Sequence, residues 1–416
     1  MTEAAGSLPV LTVVTEAIFD VGSFVPLLSA RHPLVFIRRG DGIAGFGEAL
    51  RLEFSGPSRL TDAAAAWRSI VAAATVTDPI AKLGSGLVAF GSFAFAAESA
   101  ATSLLIVPSV LLGRYGDISW ITRVATSTGI PSSAAVPTPR PFGPEYRTSL
   151  LPGAMSSEAF RNAAASAVKR IHQTGLRKVV LARDLIGHLP ADADLRHTIA
   201  KLAISYPDTF TYAIDGLIGS SPETLVRSEG GAVSARVLAG SSARGSDDAA
   251  DHAAEVTLVG SSKERDEHEF ALRSVMSALK PHSVDLVASE APFALKLPNL
   301  WHLASDVHGA LGDGSTALDL VAALHPTAAV AGAPTETALA TIGELEPFDR
   351  GRYAGPVGWV GANGDGEWAI ALRCAQVTES GDVTAYAGAG IVAGSVPEAE
   401  LAETTLKFRP IVEAFD

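Results

Sequence analysis

Cysteine is nearly missing from this chain of 416 residues: Cys374 is the single one. No disulfide can form within the chain, and a reducing compartment is the expectation. Charge is sparse too, at 19% of residues against 47% hydrophobic, which leaves room for a large core and excludes wholesale disorder. There is no basic stripe, and the net charge is −13, so nothing stands ready to release counterions from nucleic-acid phosphates. The start, MTEAAGSLPV, lacks a basic, apolar leader, and the expected location is cytoplasmic. Long uninterrupted apolar runs are also lacking. The most apolar stretch, Leu83 to Leu112, is broken by Gly84, Gly86, Gly91, Glu98, Ser99 and Pro108. It reads as two buried strands, GLVAFGSFAF and SLLIVPSVLL, and not as a membrane span. Neither a solenoid repeat nor the His/Cys spacing of a zinc site is present.

The length accommodates two or three average domains or one large one. Residues Thr126 to Pro152 are rich in Pro, Ser and Thr and read as a linker or surface excursion. They separate a β-rich part, 1–125, from residues 153–416, where the chemistry concentrates. Before them, HPLVFIRRG, DGIAGFGEALRLEF and GLVAFGSFAF read as strands and TDAAAAWRSIVAAA as a helix. After them, Ser157 to Thr174 reads as a helix with Gly175 as its left-handed stop. KVVLAR follows as a strand whose period of two puts Lys178, Val180 and Ala182 on one face. FTYAIDGLIGSSPETLVRSEGGAVSARVLAGS reads as two or three antiparallel strands. Strands and helices come in blocks and not in strict alternation, which favours an α+β fold.

Against this sparse charge stand two matched glutamate pairs. Glu264 and Glu267 lie in SSKERDEHEF, and Glu400 and Glu403 in GSVPEAELAETTLKF. The i, i+3 spacing puts both carboxylates of a pair on one helical face. Ser262 is the expected cap of the first helix. For the second it is Ser395, with Glu398 completing a capping box and Pro397 in the first turn. Four converging carboxylates require a cation, and hard oxygen ligands select Mg²⁺. Taken singly, each pair also reads as a solvated helix face.

Other residues carry chemistry only in combination. Lys178 opens a buried-looking strand, where desolvation would favour its neutral form as a general base; a snorkelling strand-end lysine is the alternative. Glu223 in GSSPETL would serve as a general acid if burial kept it protonated, or else forms a surface ion pair. VLAGSSARG offers backbone N–H groups for a carboxylate but lacks the Gly-Lys-Ser/Thr end of a P-loop. YAGAGIVAG approaches a dinucleotide fingerprint, yet its last spacing is one residue too long and Glu400 and Glu403 would repel a pyrophosphate. Nucleotide binding is rejected. Arg373, on the apolar AIALRCAQV strand, either pairs with a buried acid or clamps a carboxylate. Lys407 follows Glu403 by one turn, which alone suggests a salt bridge within the helix. His325 reads as a satisfied core histidine.

Nine segments follow one another in the order seen in chorismate-utilising enzymes: KVVLAR, GSSPETL, VLAGS, the KERDEHE helix, HLASDVHG, LHPTAAVAGAP, EPFDRGRYAGPVGW, AIALR and AGAGIVAGSVPEAELAET. From about Leu150 onward the chain resembles that family, which includes isochorismate, salicylate, anthranilate and aminodeoxychorismate synthases. The resemblance implies a single large α+β domain, like anthranilate synthase component I, with extended antiparallel sheets framing a central cleft. It implies Mg²⁺ held by Glu267 and Glu403, with Glu264 and Glu400 in support. Gly240, Ser241, Thr327, Tyr353, Arg373, Gly388 and Lys407 match positions that hold the ring and carboxylates of chorismate. Lys178 matches a base that activates water for attack at C2, and Glu223 an acid that protonates the departing C4 hydroxyl. His302 matches a position near the ring. Ala239 stands where aminodeoxychorismate synthases carry a nucleophilic lysine, and Lys178 where anthranilate synthases usually carry Gln. The implied activity is isomerisation of chorismate to isochorismate, feeding menaquinone or siderophore synthesis, with no glutamine amidotransferase subunit. Ser241 leans away from the alternative, a salicylate synthase that goes on to eliminate pyruvate. A silent paralogue that only binds such an anion is a third reading, which the intact acid and base oppose.

Overall fold

Alternating apolar side chains sort the strands onto two cores. In Leu34–Arg38, Leu34 and Phe36 enter one core while Val35 and Ile37 enter the other. Phe210–Ile214 does the same, with Tyr212 on the first side and Ala213 on the second. The first core lies between two sheets and includes Phe90, Trp359 and Trp368. The second lies under the helices Arg196–Ser205 and Pro397–Phe415.

The computed structural model describes residues 9–126 and 136–416. Among these, one sheet has 13 strands and the other 10. In the larger sheet, Lys178–His188 pairs with Asp382–Ile391, followed by Cys374–Val377, Leu217–Ser221, Phe210–Ile214 and Leu34–Arg38. In the smaller sheet, Leu300–Leu311, Ala232–Ala243, Thr224–Glu229, Gly366–Ile370, Pro356–Gly361 and Val88–Ser92 are successive neighbours. These pairings are antiparallel. Strands from before residue 126 are therefore built into the same two sheets as strands from after residue 152. No helix among the described residues is long and apolar enough to cross a membrane.

Several local expectations shift. The helix after Pro152 spans Ser157–Gln173, but its cap is Ser156, whose hydroxyl accepts from the Ala159 N–H. The chain leaves it extended at Thr174, so Gly175 is not a left-handed stop. The first glutamate helix, Ser262–Leu279, is capped by Ser261 and not Ser262. Pro397 does open the second, Pro397–Phe415, but the cap position is Val396 and no capping box forms. The Ser395 hydroxyl instead accepts from the Val392 N–H at 3.1 Å, tightening the turn before the helix. The stretch from Phe210 to Ala243 makes four strands, one more than the upper expectation. Of the Pro/Ser/Thr-rich stretch, 127–135 lie outside the described residues. Residues 136–150 form no helix or strand, and Leu151–Pro152 is a short edge strand.

Candidate active site

Between the two sheets lies a partly open cavity. Of the fourteen expected site residues, nine line it: Glu223, Gly240, Ser241, Glu267, His302, Tyr353, Arg373, Gly388 and Lys407. Lys178, Thr327, Glu264, Glu400 and Glu403 do not. Thr327 is buried behind the wall, its hydroxyl without a hydrogen-bond partner, while nearby Ala329 and Val330 face the cavity.

The VLAGS segment works as a bulge. Pairing between Ala232–Ala243 and Leu300–Leu311 slips between Leu238 and Ser241, and Gly240 takes φ +81°, which glycine adopts without strain. The slip re-aims three successive backbone groups. The Ala239 carbonyl lies 3.2 Å from His268 Nδ1, and the Gly240 carbonyl lies 3.2 Å from His302 Nδ1. The Ser241 N–H donates to Glu264 Oε2 at 3.0 Å. His268 also faces the Ser305 hydroxyl at 2.8 Å, so the residue beside Glu267 pins the acidic helix to the bulge.

Arg373 is held in a rare backbone conformation, with φ +50°, and cavity-lining Ala354 has φ +62°. Such strain costs roughly 1–3 kcal/mol per residue and persists where the surroundings over-determine it. Arg373 Nη2 donates to His302 Nε2 at 3.0 Å. Since Nε2 accepts, His302 carries its proton on Nδ1 and gives it to Gly240. Burial, and then the Arg373 charge, hold His302 well below its ordinary pKa, so the ring is neutral.

Glu223 follows Pro222 at the end of a strand and is 5% exposed. Burial pushes its carboxyl up to about 7, against the Leu238 N–H and the charges of Lys178, Lys407 and Arg373. Burial outweighs these opposing influences, so the acid keeps its proton up to near neutral pH.

Lys178 is fully buried, with Nζ 3.2 Å from Glu267 Oε1 but no well-aligned hydrogen bond. Glycine makes this approach possible. A Cβ at Gly390 would lie 2.1 Å from Glu267 Oε1 and 3.0 Å from Lys178 Cε. Gly388 and Gly390 are thus part of a strand packed beneath side chains and not a nucleotide-binding turn.

The four glutamates approach one another, yet each is drawn to a lysine. Lys178 faces Glu267, Lys407 pairs with Glu403, and Lys263 lies 2.7 Å from Glu400 Oε1 and 3.4 Å from Glu264 Oε1. Among the described residues no three acidic or imidazole side chains form a ready metal cage. The carboxylates nevertheless feel one another. Burial, with Glu267 and Glu403 nearby, holds Glu264 above its ordinary pKa against Lys263. Burial and Glu403 do the same to Glu400. Burial also works to raise Glu403, but Lys407, Ser241 and Lys263 together outweigh it and the net shift is downward.

Two supports were not legible as site elements. Arg350 and Glu346 form a fully buried bidentate pair, with Nε to Oε2 at 2.8 Å and Nη2 to Oε1 at 2.6 Å. Arg350 also reaches the Val180 and Val330 carbonyls, and Glu346 takes the Ala182 N–H. Breaking such a pair costs roughly 3–5 kcal/mol. His325 is the core histidine expected: buried, with Nε2 2.9 Å from the Phe95 carbonyl.

Residues 30–416 match the family model described as chorismate binding enzyme. The chain belongs to the chorismate binding enzymes. Isochorismate synthase DhbC of Bacillus subtilis (strain 168) is 40% identical to this family member over 269 residues, 62% of this chain and 67% of the relative. Isochorismate synthase EntC of Escherichia coli (strain K12) is 39% identical over 243 residues, 57% of this chain and 62% of the relative. A crystal structure of a putative 2,3-dihydroxybenzoate-specific isochorismate synthase, DhbC, from Bacillus anthracis matches with a TM-score of 0.77 at 29% identity, covering 94% of this chain and 99% of that one. Anthranilate synthase component I of Streptococcus pneumoniae shares the fold, with a TM-score of 0.71 at 20% identity over 91% and 92% of the two chains. This chorismate-binding enzyme thus has the α+β architecture expected, with large antiparallel sheets framing the cleft.

Proposed function

We propose that this chorismate-binding enzyme is an isochorismate synthase, an isomerase that moves the ring hydroxyl of chorismate from C4 to C2. The observation that carries the proposal is Glu223, a buried carboxyl titrating near 7 on a cavity that also presents Arg373 and Lys407. A dianionic substrate suits those two cations and the bulged backbone around Gly240 and Ser241. Ala239 offers no amine to attack the ring, which leaves water as nucleophile.

In its neutral amine form, Lys178 takes a proton from water as the oxygen bonds to C2. The ring double bonds shift, the C4–O bond breaks, and Glu223 protonates the departing hydroxyl, which leaves as water. One water enters and one leaves, so the net change is isomerisation. Solvent returns the proton from Lys178 to Glu223. Neutral His302 accepts from Arg373 and so fixes the guanidinium that faces a substrate carboxylate. It is a positioning residue in this scheme.

Glu264, Glu267, Glu400 and Glu403 fit a hard divalent cation. They are oxygen donors on two facing helices, and the buried Glu400 Oε2 has no hydrogen-bond partner. The nearby Ser395 hydroxyl favours the charged form of Glu400 without reaching hydrogen-bond geometry. Bound Mg²⁺ would supply Lewis-acid stabilisation of charge developing on the substrate. Incubation of purified protein with chorismate and Mg²⁺, followed by chromatography, tests the reading. Isochorismate is the expected product, and salicylate with pyruvate would move the assignment to salicylate synthase.

A further inference from the structure

Lys263 does not line the substrate cavity, yet its amine reaches into the carboxylate cluster. Nζ lies 2.7 Å from Glu400 Oε1 and 3.4 Å from Glu264 Oε1, bridging the two glutamate helices. Glu400 is 1% exposed, and its Oε2 has no hydrogen-bond partner. Its charge is therefore balanced on one side only. The Lys263 side chain is 29% exposed and helps to wall a second, outer recess that also includes Asp266, Glu269 and Gly394. A compact charge on a flexible stem thus stands between the outer recess and the cluster, with acids on both sides of it.

We infer that Lys263 is an exchangeable counter-ion. It neutralises Glu400 and Glu264 until a divalent cation enters from the outer recess, and its ammonium then withdraws toward Asp266 and Glu269. The inference rests on the Mg²⁺ reading proposed above and deepens it. No covalent bond changes; a monovalent side chain gives way to a divalent ion at the same carboxylates. Removing the lysine leaves Glu400 and Glu264 uncompensated and so strengthens binding of the ion that competes with it.

Calorimetric titration of the full chain with Mg²⁺ alone, without chorismate, compares wild type with Lys263→Met. The variant is expected to bind Mg²⁺ roughly tenfold more tightly. It should also melt earlier than wild type in EDTA but together with it at saturating Mg²⁺. Equal or weaker Mg²⁺ binding by the variant overturns the exchange. Should the variant fail to fold, amine labelling of wild type read by mass spectrometry decides. Labelling of Lys263 is expected to rise several-fold on Mg²⁺ saturation, and unchanged or reduced labelling overturns the exchange. A wild-type chain that takes up no Mg²⁺ overturns the metal reading and the exchange together, an outcome distinct from both others.

Discussion

Arg373 donates to His302 Nε2 at 3.0 Å, and His302 in turn holds the Gly240 carbonyl at 3.2 Å. The guanidinium that faces the cavity is thus tied, through one neutral ring, to the backbone bulge at Gly240. Replacing His302 with alanine leaves a buried cation without that acceptor, a loss of roughly 1–3 kcal/mol. The expected result is a KM for chorismate raised about tenfold or more with a smaller change in kcat. Steady-state kinetics read this directly, and an unaltered KM would separate His302 from substrate positioning.

Glu223 sets a falling alkaline limb. The acid must be protonated to donate, and it titrates near 7, so kcat should decline as pH rises through that value. Stability follows the same proton. Because the folded value lies above the ordinary 4.5, the contribution is fully present below the unfolded value and lost as pH rises through about 7. Glu223→Gln should be inactive, and its melting temperature should gain on wild type between about pH 5 and about pH 8. A constant difference across that range would mean Glu223 is not held protonated.

Gly390→Ala places a methyl 2.1 Å from Glu267 Oε1 and 3.0 Å from Lys178 Cε. Overpacking of this kind costs roughly 1–3 kcal/mol. The displaced carboxylate and amine should lower kcat by about a hundredfold, because misplacement of about 1 Å is enough for such a loss. Near-wild-type turnover in a folded variant would show that the Lys178–Glu267 approach is dispensable.

Much of the fold was legible because it depends on local alternation: Lys178, Val180 and Ala182 share a strand face whatever surrounds them. The motif order likewise pointed to Glu223, Gly240 and Arg373, which the fold brings to one cavity, while the bulge at Gly240 emerged only from the strand pairing. Caps were harder, since adjacent Ser261 and Ser262 are chemically equal and only the extended backbone of Ser261 distinguishes them. Among the lysine partners of the glutamates, Lys407 was legible from its one-turn spacing to Glu403, but Lys178 and Lys263 were not. Lys263 and Glu400 are separated by 137 positions, and nothing in either segment encodes their meeting. Glu346 and Arg350 have helical salt-bridge spacing, but their complete burial, and hence their role in bracing the Val180 strand, comes only from packing. Thr327 shows the reverse case, a matched motif position that packs behind the cavity wall.

Attack by water at C2 is the step on which the assignment turns. Turnover of chorismate in water labelled with heavy oxygen, analysed by mass spectrometry of the isochorismate formed, reports on it directly. The mechanism predicts one labelled oxygen per product molecule, in the hydroxyl at C2. Unlabelled isochorismate would mean that the C4 hydroxyl migrates within the ring, and would remove both Lys178 and Glu223 from the roles given to them.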